Sequence, residues 1–381
     1  MPGFEYVNID EKKSLNEIFS KNSSVLMSVG FEKIRKKYFV RDFEYRFKKL
    51  ISSKYSVALT SGTVGLHVGL KALSVGYGDE VVLQTFTFVA VAESILSLGA
   101  KPVFVNVDET LNMDLNELEN KISKKTKAII SAGMLGNPIN VKKLKSISKK
   151  YNIPVIDDSC ETLGSKINGK LYGNDFDLTV WSFDSGKTIT TGEGGMITTN
   201  NKNLYEFCKN YIDHGHENKK NIPRGIDKAK VLGFNFRMTE LQAAVGLAQI
   251  KKIKRIIKDQ KLRFNLYVDT LKRLNLKVRP LNRNLTPNFD TVIFFLKNEN
   301  TTQKFLRYLK KNKIPTKIIP DALRWHFVKY WKQLGNEMPS KKEYKVTDDI
   351  LKKCIALPIL GKSKISSIEK NCKIIKNYKF F

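Results

Sequence analysis

The chain has 381 residues, of which 41% are hydrophobic and 27% are charged, and its formal net charge is +30. This length suffices for two domains with a large buried core, and no apolar run approaches the ~20 residues that a membrane helix needs. The first residues also lack the basic and apolar segments of a signal peptide, so we expect a cytoplasmic protein without membrane insertion.

The high positive charge raises the question of nucleic-acid or anionic membrane binding. The lysine pairs are scattered along the chain, and no basic stripe with interleaved aromatic residues accompanies them. We therefore predict no nucleic-acid binding and interpret the lysines as solvated surface. The 4 cysteines have no CxxC spacing and the 4 histidines have no convincing metal-ligand pattern, which indicates reduced thiols and no metal site.

Short apolar segments alternate with longer amphipathic ones in the first two-thirds of the chain. They predict strands at 56–59, 80–83, 102–106, 128–131, 154–157 and 178–183. This alternation predicts an α/β fold, in which a mostly parallel sheet is covered by helices and binds ligands beyond the carboxyl ends of its strands. A helical pattern from Met238 then leads to a smaller α+β domain. We expect a large domain over 1–255 and a small domain over 256–381.

Gly62 and Thr63 follow the first predicted strand and open an amphipathic helical segment. Backbone amides are unpaired at a helix N-terminus and favour an anion, which Gly62 would allow to approach closely. A phosphate site and a plain helix cap are both compatible with this pattern. Phe88, which follows the second strand, could stack on a flat ligand, although most such side chains are core.

Asp157 and Asp158 end the strand predicted at 154–157. A carboxylate in this position could pair with the pyridine nitrogen of a cofactor such as pyridoxal phosphate. It would keep that nitrogen protonated, and the protonated ring can accept electrons from the substrate. A metal-binding or turn aspartate is the alternative.

Lys187 lies five residues after Ser182 and just before a glycine-rich turn. Its neighbours are small or hydroxylated, and its closest charged neighbour is Asp184. A lysine amine becomes a nucleophile toward carbonyls when burial or a nearby cation lowers its pKa. The pattern is typical of a lysine that holds pyridoxal phosphate as a Schiff base.

Seven ordered segments carry a resemblance that covers nearly the whole chain, at 61–63, 78–81, 85–90, 99–108, 155–164, 182–196 and 233–249. They resemble the DegT/DnrJ/EryC/StrS family of sugar aminotransferases, which has pyridoxal-phosphate fold type I. The resemblance implies a seven-stranded type of sheet in the large domain. It also implies pyridoxal 5'-phosphate as cofactor, with a pyridoxamine 5'-phosphate intermediate, and a homodimer with shared active sites.

The resemblance further implies roles for individual residues. Lys187 would form the Schiff base and then move the proton, Asp158 would pair with the pyridine nitrogen, and Phe88 would stack on the ring. The phosphate would be held by Gly62, Thr63, Ser182 and, from the second subunit, Asn235.

Glu161 departs from the family pattern, because relatives usually carry glutamine or histidine there, near the phenolic oxygen of the cofactor. A carboxylate that faces a phenolate is repelled unless it is protonated or turned away. We therefore predict either a raised pKa for Glu161 or a different orientation of its side chain.

The presence of Lys187 favours transamination over dehydration, since the dehydratases among the relatives replace this lysine with histidine. The resemblance implies L-glutamate as amino donor and a keto or aldehyde sugar as acceptor. Residues 1–5, Asp184, 213–216 and 325–326 resemble the branch that aminates C8 of 8-oxo-3-deoxy-D-manno-octulosonate, giving 8-amino-3,8-dideoxy-octulosonate for lipopolysaccharide. The alternative is a nucleotide-linked 4-keto or 3-keto deoxyhexose, and a more remote one is a non-catalytic regulator that binds the cofactor or a sugar.

Substrate contacts are expected at Asp184, His214, Arg237, Trp325 and His326. The substrate carboxylates should meet a cation, because charge-assisted hydrogen bonds are strong. The candidates for this cation are Arg237, Lys71, Arg224 and Arg324. Arg237 has a motif context, although a structural ion pair would explain it equally well.

Overall fold

A computed structural model describes residues 3–21, 25–35, 37–219, 222–282 and 284–380. Residues 1 and 2 of the opening motif lie outside this part of the chain. The helices are α1 (Ile9–Lys21), α2 (Phe39–Ile51), α3 (Gly62–Ala72), α4 (Ala90–Leu96), α5 (Leu115–Lys121), α6 (Val141–Tyr151), α7 (Lys202–Tyr211), α8 (Glu240–Gln249), α9 (Ile253–Arg273), α10 (Glu299–Lys311), α11 (Leu323–His326), α12 (Lys345–Leu351) and α13 (Ile365–Lys376). The strands are β1 (Tyr55–Leu59), β2 (Glu80–Gln84), β3 (Lys101–Val105), β4 (Thr126–Ala132), β5 (Val155–Asp158), β6 (Lys166–Ile167), β7 (Lys170–Leu171), β8 (Leu178–Ser182), β9 (Gly195–Thr199), β10 (Lys277–Val278), β11 (Leu285–Thr286), β12 (Thr291–Phe295) and β13 (Cys354–Pro358).

The central sheet has seven strands in the order β1-β9-β8-β5-β4-β2-β3. The five strands from β8 to β3 pair in parallel, whereas β9 is antiparallel to both of its neighbours, β1 and β8. The prediction of a mostly parallel sheet is confirmed, and each of the six predicted strands lies within two residues of an observed one. The sequence does not predict β9.

Both faces of the sheet are buried, as strand β2 shows. Val81, Val82 and Leu83 are consecutive and all 0% exposed. Val81 and Leu83 belong to one hydrophobic cluster and Val82 to another, because successive side chains of a strand point to opposite faces. Continuous apolar strands of this kind are expected where helices cover a parallel sheet on both sides.

The C-terminal part of the chain has a three-stranded antiparallel sheet of its own, in the order β10-β12-β13. Its hydrophobic cluster includes Phe294 and Phe305, and the cluster is assembled from residues of α9, α10 and α13. The domain boundary expected between 255 and 256 falls within the first turn of α9, and it stays a prediction. In the described residues, no helix combines the length and the apolar character needed to cross a membrane.

Candidate active site

A cavity of about 480 Å³ lies where the carboxyl ends of the central strands meet. Since β9 is antiparallel to both β1 and β8, these two strands run in the same direction and end at the same edge of the sheet as β5, β4 and β2. Nine residues singled out by the sequence line this cavity, namely Gly62, Thr63, Phe88, Asp158, Glu161, Ser182, Asp184, Lys187 and His326. The structure therefore brings together most of the residues expected at a site.

The N-terminus of α3 points unpaired amides at the cavity. The Ser61 hydroxyl caps the helix by accepting a hydrogen bond from the Val64 amide at 3.2 Å. Among the described residues, no acceptor is paired with the amides of Gly62 and Thr63. Two free donors at the end of a helix make a binding position for a phosphate.

Gly62 is required by the close approach of α3 to strand β8. A Cβ atom at this position would lie 2.8 Å from Cys160 Sγ and 3.1 Å from Ser182 Cβ. Glycine therefore lets the first turn of the helix rest against Ser182, whose hydroxyl also lines the cavity. The glycine, the free amides and Ser182 therefore lie beside one another in the cavity wall.

The two aspartates at the end of β5 differ in their surroundings. Asp157 accepts hydrogen bonds from Ser131, Ser159 and Tyr172 at 3.1, 2.6 and 2.7 Å, and burial raises its pKa to about 7. Asp158 faces the cavity, where burial raises its pKa and a hydrogen bond from the Cys160 amide at 3.1 Å opposes that change. Of these two aspartates, Asp158 is therefore the one that a ligand in the cavity can reach.

Lys187 lies in the turn after β8, where its amide donates to the Asp184 carbonyl oxygen at 3.0 Å. Its Nζ is 3.6 Å from Glu161 Oε1, and the two side chains are 19% and 9% exposed. Burial lowers the pKa of Lys187, but the Glu161 carboxylate raises it and prevails. The buried carboxylate therefore stabilises the charged form of this amine.

Glu161 is held by a hydrogen bond from the Leu135 amide to Oε2 at 2.8 Å, while Oε1 faces Lys187. The prediction of a raised pKa is wrong. Burial raises the pKa of Glu161, but the positive charges of Lys187 and Lys317 lower it and prevail. The carboxylate is charged and directed at the lysine, and its orientation relative to the phenolic oxygen of the cofactor stays a prediction.

Arg237 does not line the cavity. It forms an ion pair with Asp213 at 2.5 Å, and Arg224 contacts the same carboxylate at 2.5 Å. Asp213 is 2% exposed. Burial raises the pKa of Asp213, but the two arginines and Asn218 lower it and prevail. The structural ion pair is therefore the alternative that the structure supports for Arg237.

Five further predicted contacts lie outside the cavity of this chain. His214, Asn235, Trp325 and Arg324 are exposed and do not line it, and Lys71 is not among the lining residues either. The Trp325 carbonyl oxygen accepts a hydrogen bond from the Val89 amide at 2.9 Å, so this segment supports the cavity through its backbone. The contact of Asn235 with a second subunit stays a prediction.

Lys317 and Cys160 line the cavity although the sequence did not single them out for it. Lys317 comes from the C-terminal part of the chain, and its Nζ lies 3.0 Å from Asp290 Oδ2. A signal was available, since Lys317 is a lone charge in the otherwise uncharged segment 314–320. Cys160 packs beside Gly62, and burial raises the pKa of its thiol, which therefore stays protonated.

The residues of the cavity fit pyridoxal phosphate. The cofactor presents a phosphate, a pyridine nitrogen, a carbonyl carbon and a flat ring, each of which needs a different partner. The α3 amides, Asp158, Lys187 and Phe88 offer these partners along one edge of the sheet. In the described residues, no group of three or more metal-ligating side chains could hold a metal ion.

Comparisons with known proteins agree with this fit. The chain is 38% identical to a GDP-perosamine synthase of Escherichia coli O157:H7 over 215 residues, which are 56% of this chain and 58% of that enzyme. It is 28% identical to a GDP-perosamine synthase of Vibrio cholerae over 97% of this chain and 96% of that enzyme.

Solved structures share the fold over almost the whole chain. An aminotransferase from Psychrobacter cryohalolentis superposes with a TM-score of 0.87 at 24% identity, covering 97% of this chain and 96% of that one. A putative sugar aminotransferase from Streptococcus pneumoniae in its PMP form has a TM-score of 0.84 at 22% identity, with coverage of 97% and 96%.

A match to a known family spans residues 20–376, which is most of the chain and includes every residue that lines the cavity. The chain therefore belongs to the DegT/DnrJ/EryC1/StrS aminotransferase family and is a pyridoxal-phosphate-dependent transaminase.

Proposed function

We propose that this enzyme transfers an amino group from L-glutamate to a nucleotide-linked 4-keto or 3-keto deoxyhexose. The observation that carries the transamination is the single cavity that joins Lys187, Asp158 and the N-terminus of α3. The nucleotide-linked acceptor is supported by the similarity to two GDP-perosamine synthases. The octulosonate that the sequence analysis favoured has no such support among these relatives.

Pyridoxal phosphate, when bound, supplies a conjugated ring that accepts the electron pair released at the substrate carbon. Asp158 would hold a proton on the ring nitrogen, because its carboxylate faces the cavity from the end of β5. Phe88 would cover one face of the ring. Its own ring lies 5.3 Å from that of His326, so the two side chains support each other.

Lys187 would bind the cofactor carbonyl and then move a proton between its Nζ and the substrate carbon. Glu161 controls the charge of that amine, because its carboxylate lies 3.6 Å away and favours the ammonium form. An ammonium in this position can donate the proton that the product needs, and a neutral amine can remove one from the substrate. The pair therefore suits a lysine that acts as acid in one step and as base in another.

His326 would accept a hydrogen bond from a sugar hydroxyl. Its Nδ1 lies 2.9 Å from the Ala322 carbonyl oxygen, and since a carbonyl only accepts, Nδ1 carries the hydrogen and Nε2 has the free lone pair. Burial lowers the pKa of His326, which keeps the ring neutral. A neutral acceptor in the cavity wall suits a polyhydroxylated substrate.

The proposal includes a homodimer in which Asn235 reaches the phosphate of the neighbouring subunit. This residue is exposed and paired with Asp213 through an isolated β-bridge, close to the Asp213 ion pairs. Those ion pairs would hold the segment in place for a contact across the interface.

The acceptor class is tested by running the second half of the reaction backward. The cofactor-loaded enzyme is titrated separately with a nucleotide-linked 4-amino-6-deoxyhexose and with 8-amino-3,8-dideoxy-octulosonate, and the absorbance of the lysine-bound cofactor is followed. We expect the nucleotide sugar to bleach this band and the octulosonate to leave it unchanged. Bleaching by the octulosonate alone would overturn the proposed acceptor, and the Lys187→Ala variant controls for changes that do not involve the lysine.

A further inference from the structure

The amino donor of the proposed reaction is anionic and needs a cation in the cavity. Among the described residues that line it, the lysines and arginines are Lys187 and Lys317. Lys187 is taken by the cofactor. His326 is the remaining basic side chain of the lining, and burial lowers its pKa and keeps it neutral. Lys317 is thus the fixed positive charge that is available to a substrate.

Lys317 is held in place by groups of the C-terminal sheet. Its Nζ donates to Asp290 Oδ2 at 3.0 Å and to Thr291 Oγ1 at 2.9 Å, and its side chain is 13% exposed. Asp290 is 0% exposed, and Thr291 is the first residue of β12. A preformed cation of this kind binds an anion without the entropy cost of ordering a flexible side chain.

The ammonium of Lys317 retains one donor for a ligand. An ammonium has three N–H groups, and two of them are directed to Asp290 and Thr291. The described residues provide no hydrogen-bond acceptor for the third one. Since Lys317 also lines the cavity, this donor and the charge behind it are available to a substrate.

Three arginines are already paired with other groups of the protein. Arg279 is 7% exposed and donates its two terminal nitrogens to the carbonyl oxygens of Met134 and Leu135 at 3.0 and 2.8 Å. Arg237 and Arg224 are both paired with Asp213. None of these three arginines lines the cavity, so they do not compete with Lys317 for a ligand there.

We propose that Lys317 binds a carboxylate of the amino-acid donor. The inference rests on the proposed function, because it needs L-glutamate to enter this cavity. A charge-assisted hydrogen bond between ammonium and carboxylate would hold the donor while its amino group reacts at the Lys187 side of the cavity. The nucleotide-linked sugar carries no carboxylate on its deoxyhexose, so its reaction should depend less on Lys317.

The test compares Lys317→Gln with Asp290→Asn in the cofactor-loaded enzyme. The first change removes the cation, while the second breaks the same ion pair and keeps the cation. Each variant is titrated with L-glutamate, L-glutamine and L-isoglutamine, and bleaching of the lysine-bound cofactor gives the half-saturating concentration. We expect Lys317→Gln to raise that concentration for L-glutamate about tenfold to hundredfold, as for the loss of a hydrogen bond to a charged group. Asp290→Asn loosens the hold on Lys317 but keeps its positive charge, so it should raise the concentration by less than Lys317→Gln does.

The amide analogues identify the carboxylate. Glutamine lacks the charge at the side chain and isoglutamine lacks it at the α-carbon. The analogue whose half-saturating concentration is the same in wild type and Lys317→Gln has lost the group that Lys317 binds. The double variant Lys317→Gln/Asp290→Asn leaves no unpaired buried charge, so it keeps the test valid if the single Lys317 variant fails to fold.

Two results overturn the inference while leaving the proposed function intact. One is an unchanged half-saturating concentration for L-glutamate in Lys317→Gln and in the double variant. The other is an equal loss with L-glutamate, both amide analogues and the nucleotide-linked amino sugar, which would mean a general disturbance of the cavity. If wild-type enzyme is bleached by neither L-glutamate nor the nucleotide-linked amino sugar, the proposed function and the inference both fail.

Discussion

Replacing Gly62 with alanine tests whether the close approach of α3 to the end of β8 creates the phosphate position. The new Cβ would lie 2.8 Å from Cys160 Sγ, whereas non-bonded carbon contacts are optimal at about 3.5–4.0 Å. The first turn of α3 must therefore move outward by about 1 Å or remain overpacked, which costs about 1–3 kcal/mol. If the helix moves, its amides leave the phosphate and the cost appears in cofactor binding, as a rise of the dissociation constant by about 5- to 150-fold.

The assay is a titration of cofactor-free Gly62→Ala protein with pyridoxal phosphate, together with chemical unfolding of the same protein. The losses in binding and in folding free energy should together amount to about 1–3 kcal/mol. Adding Cys160→Ala should recover most of this loss, because it removes the nearest atom and leaves the 3.1 Å contact with Ser182 Cβ.

Gly69→Ala is the matched control for this prediction. It lies on the same helix, and its Cβ would meet the flexible ends of the Ile156 and Leu178 side chains at 3.2 and 3.6 Å. Cofactor affinity should be unchanged in this variant. Wild-type affinity and stability in Gly62→Ala, or a failure of Cys160→Ala to restore them, would refute the reasoning.

Three further substitutions test the charged groups. Glu161→Gln should lower the pKa of Lys187, so cofactor-free protein should form its lysine-bound absorbance band at lower pH than wild type does; an unchanged pH profile would contradict the pairing. Burial alone would raise the pKa of Asp290, but the ion pair with Lys317 lowers it from an ordinary 3.8 to about 2. The ionised Asp290 therefore stabilises the fold above about pH 4, and this stabilisation is lost as the pH falls toward 2. Asp290→Asn should therefore lose about 2 kcal/mol less than wild type in unfolding free energy between pH 5 and pH 2, and equal acid sensitivity would argue against the shift. Arg237→Ala should lower the unfolding free energy by about 1–3 kcal/mol, because buried Asp213 loses one of its partners, and should leave the Michaelis constant for L-glutamate unchanged; a large rise in that constant would restore Arg237 as a substrate contact.

The strands and the residues that follow them could be predicted because their signals are local. Runs such as Val81 to Leu83 are apolar throughout, which indicates a strand buried on both faces. Parallel strands end at a common edge, so Asp158, Phe88 and Lys187 were expected near each other before any contact was known. The family resemblance rested on the same local motifs, and the match over residues 20–376 confirms it.

Strand β9 and the residue Lys317 were harder to predict, for two different reasons. Strand β9 is only five residues long and follows a glycine-rich turn, and its pairing with β1 joins segments that are far apart in the chain. Lys317 reaches the cavity from the C-terminal part of the chain, and its position as a lone charge in segment 314–320 does not specify which distant strands it meets.

The sequence by itself determined the α/β architecture, the transaminase family and most of the singled-out residues that line the cavity, because strand periodicity and motif spacing are properties of short segments. Only the tertiary structure determined which charged side chains pair with one another and in which direction their pKa values shift. The directions in which the pKa values of Lys187 and Glu161 shift depend on the 3.6 Å ion pair between them. Arg237 is paired with Asp213 outside the cavity, whereas Lys317 is paired with Asp290 and lines it. Electrostatic effects of this kind depend on distance and burial, which the order of residues in the chain does not specify.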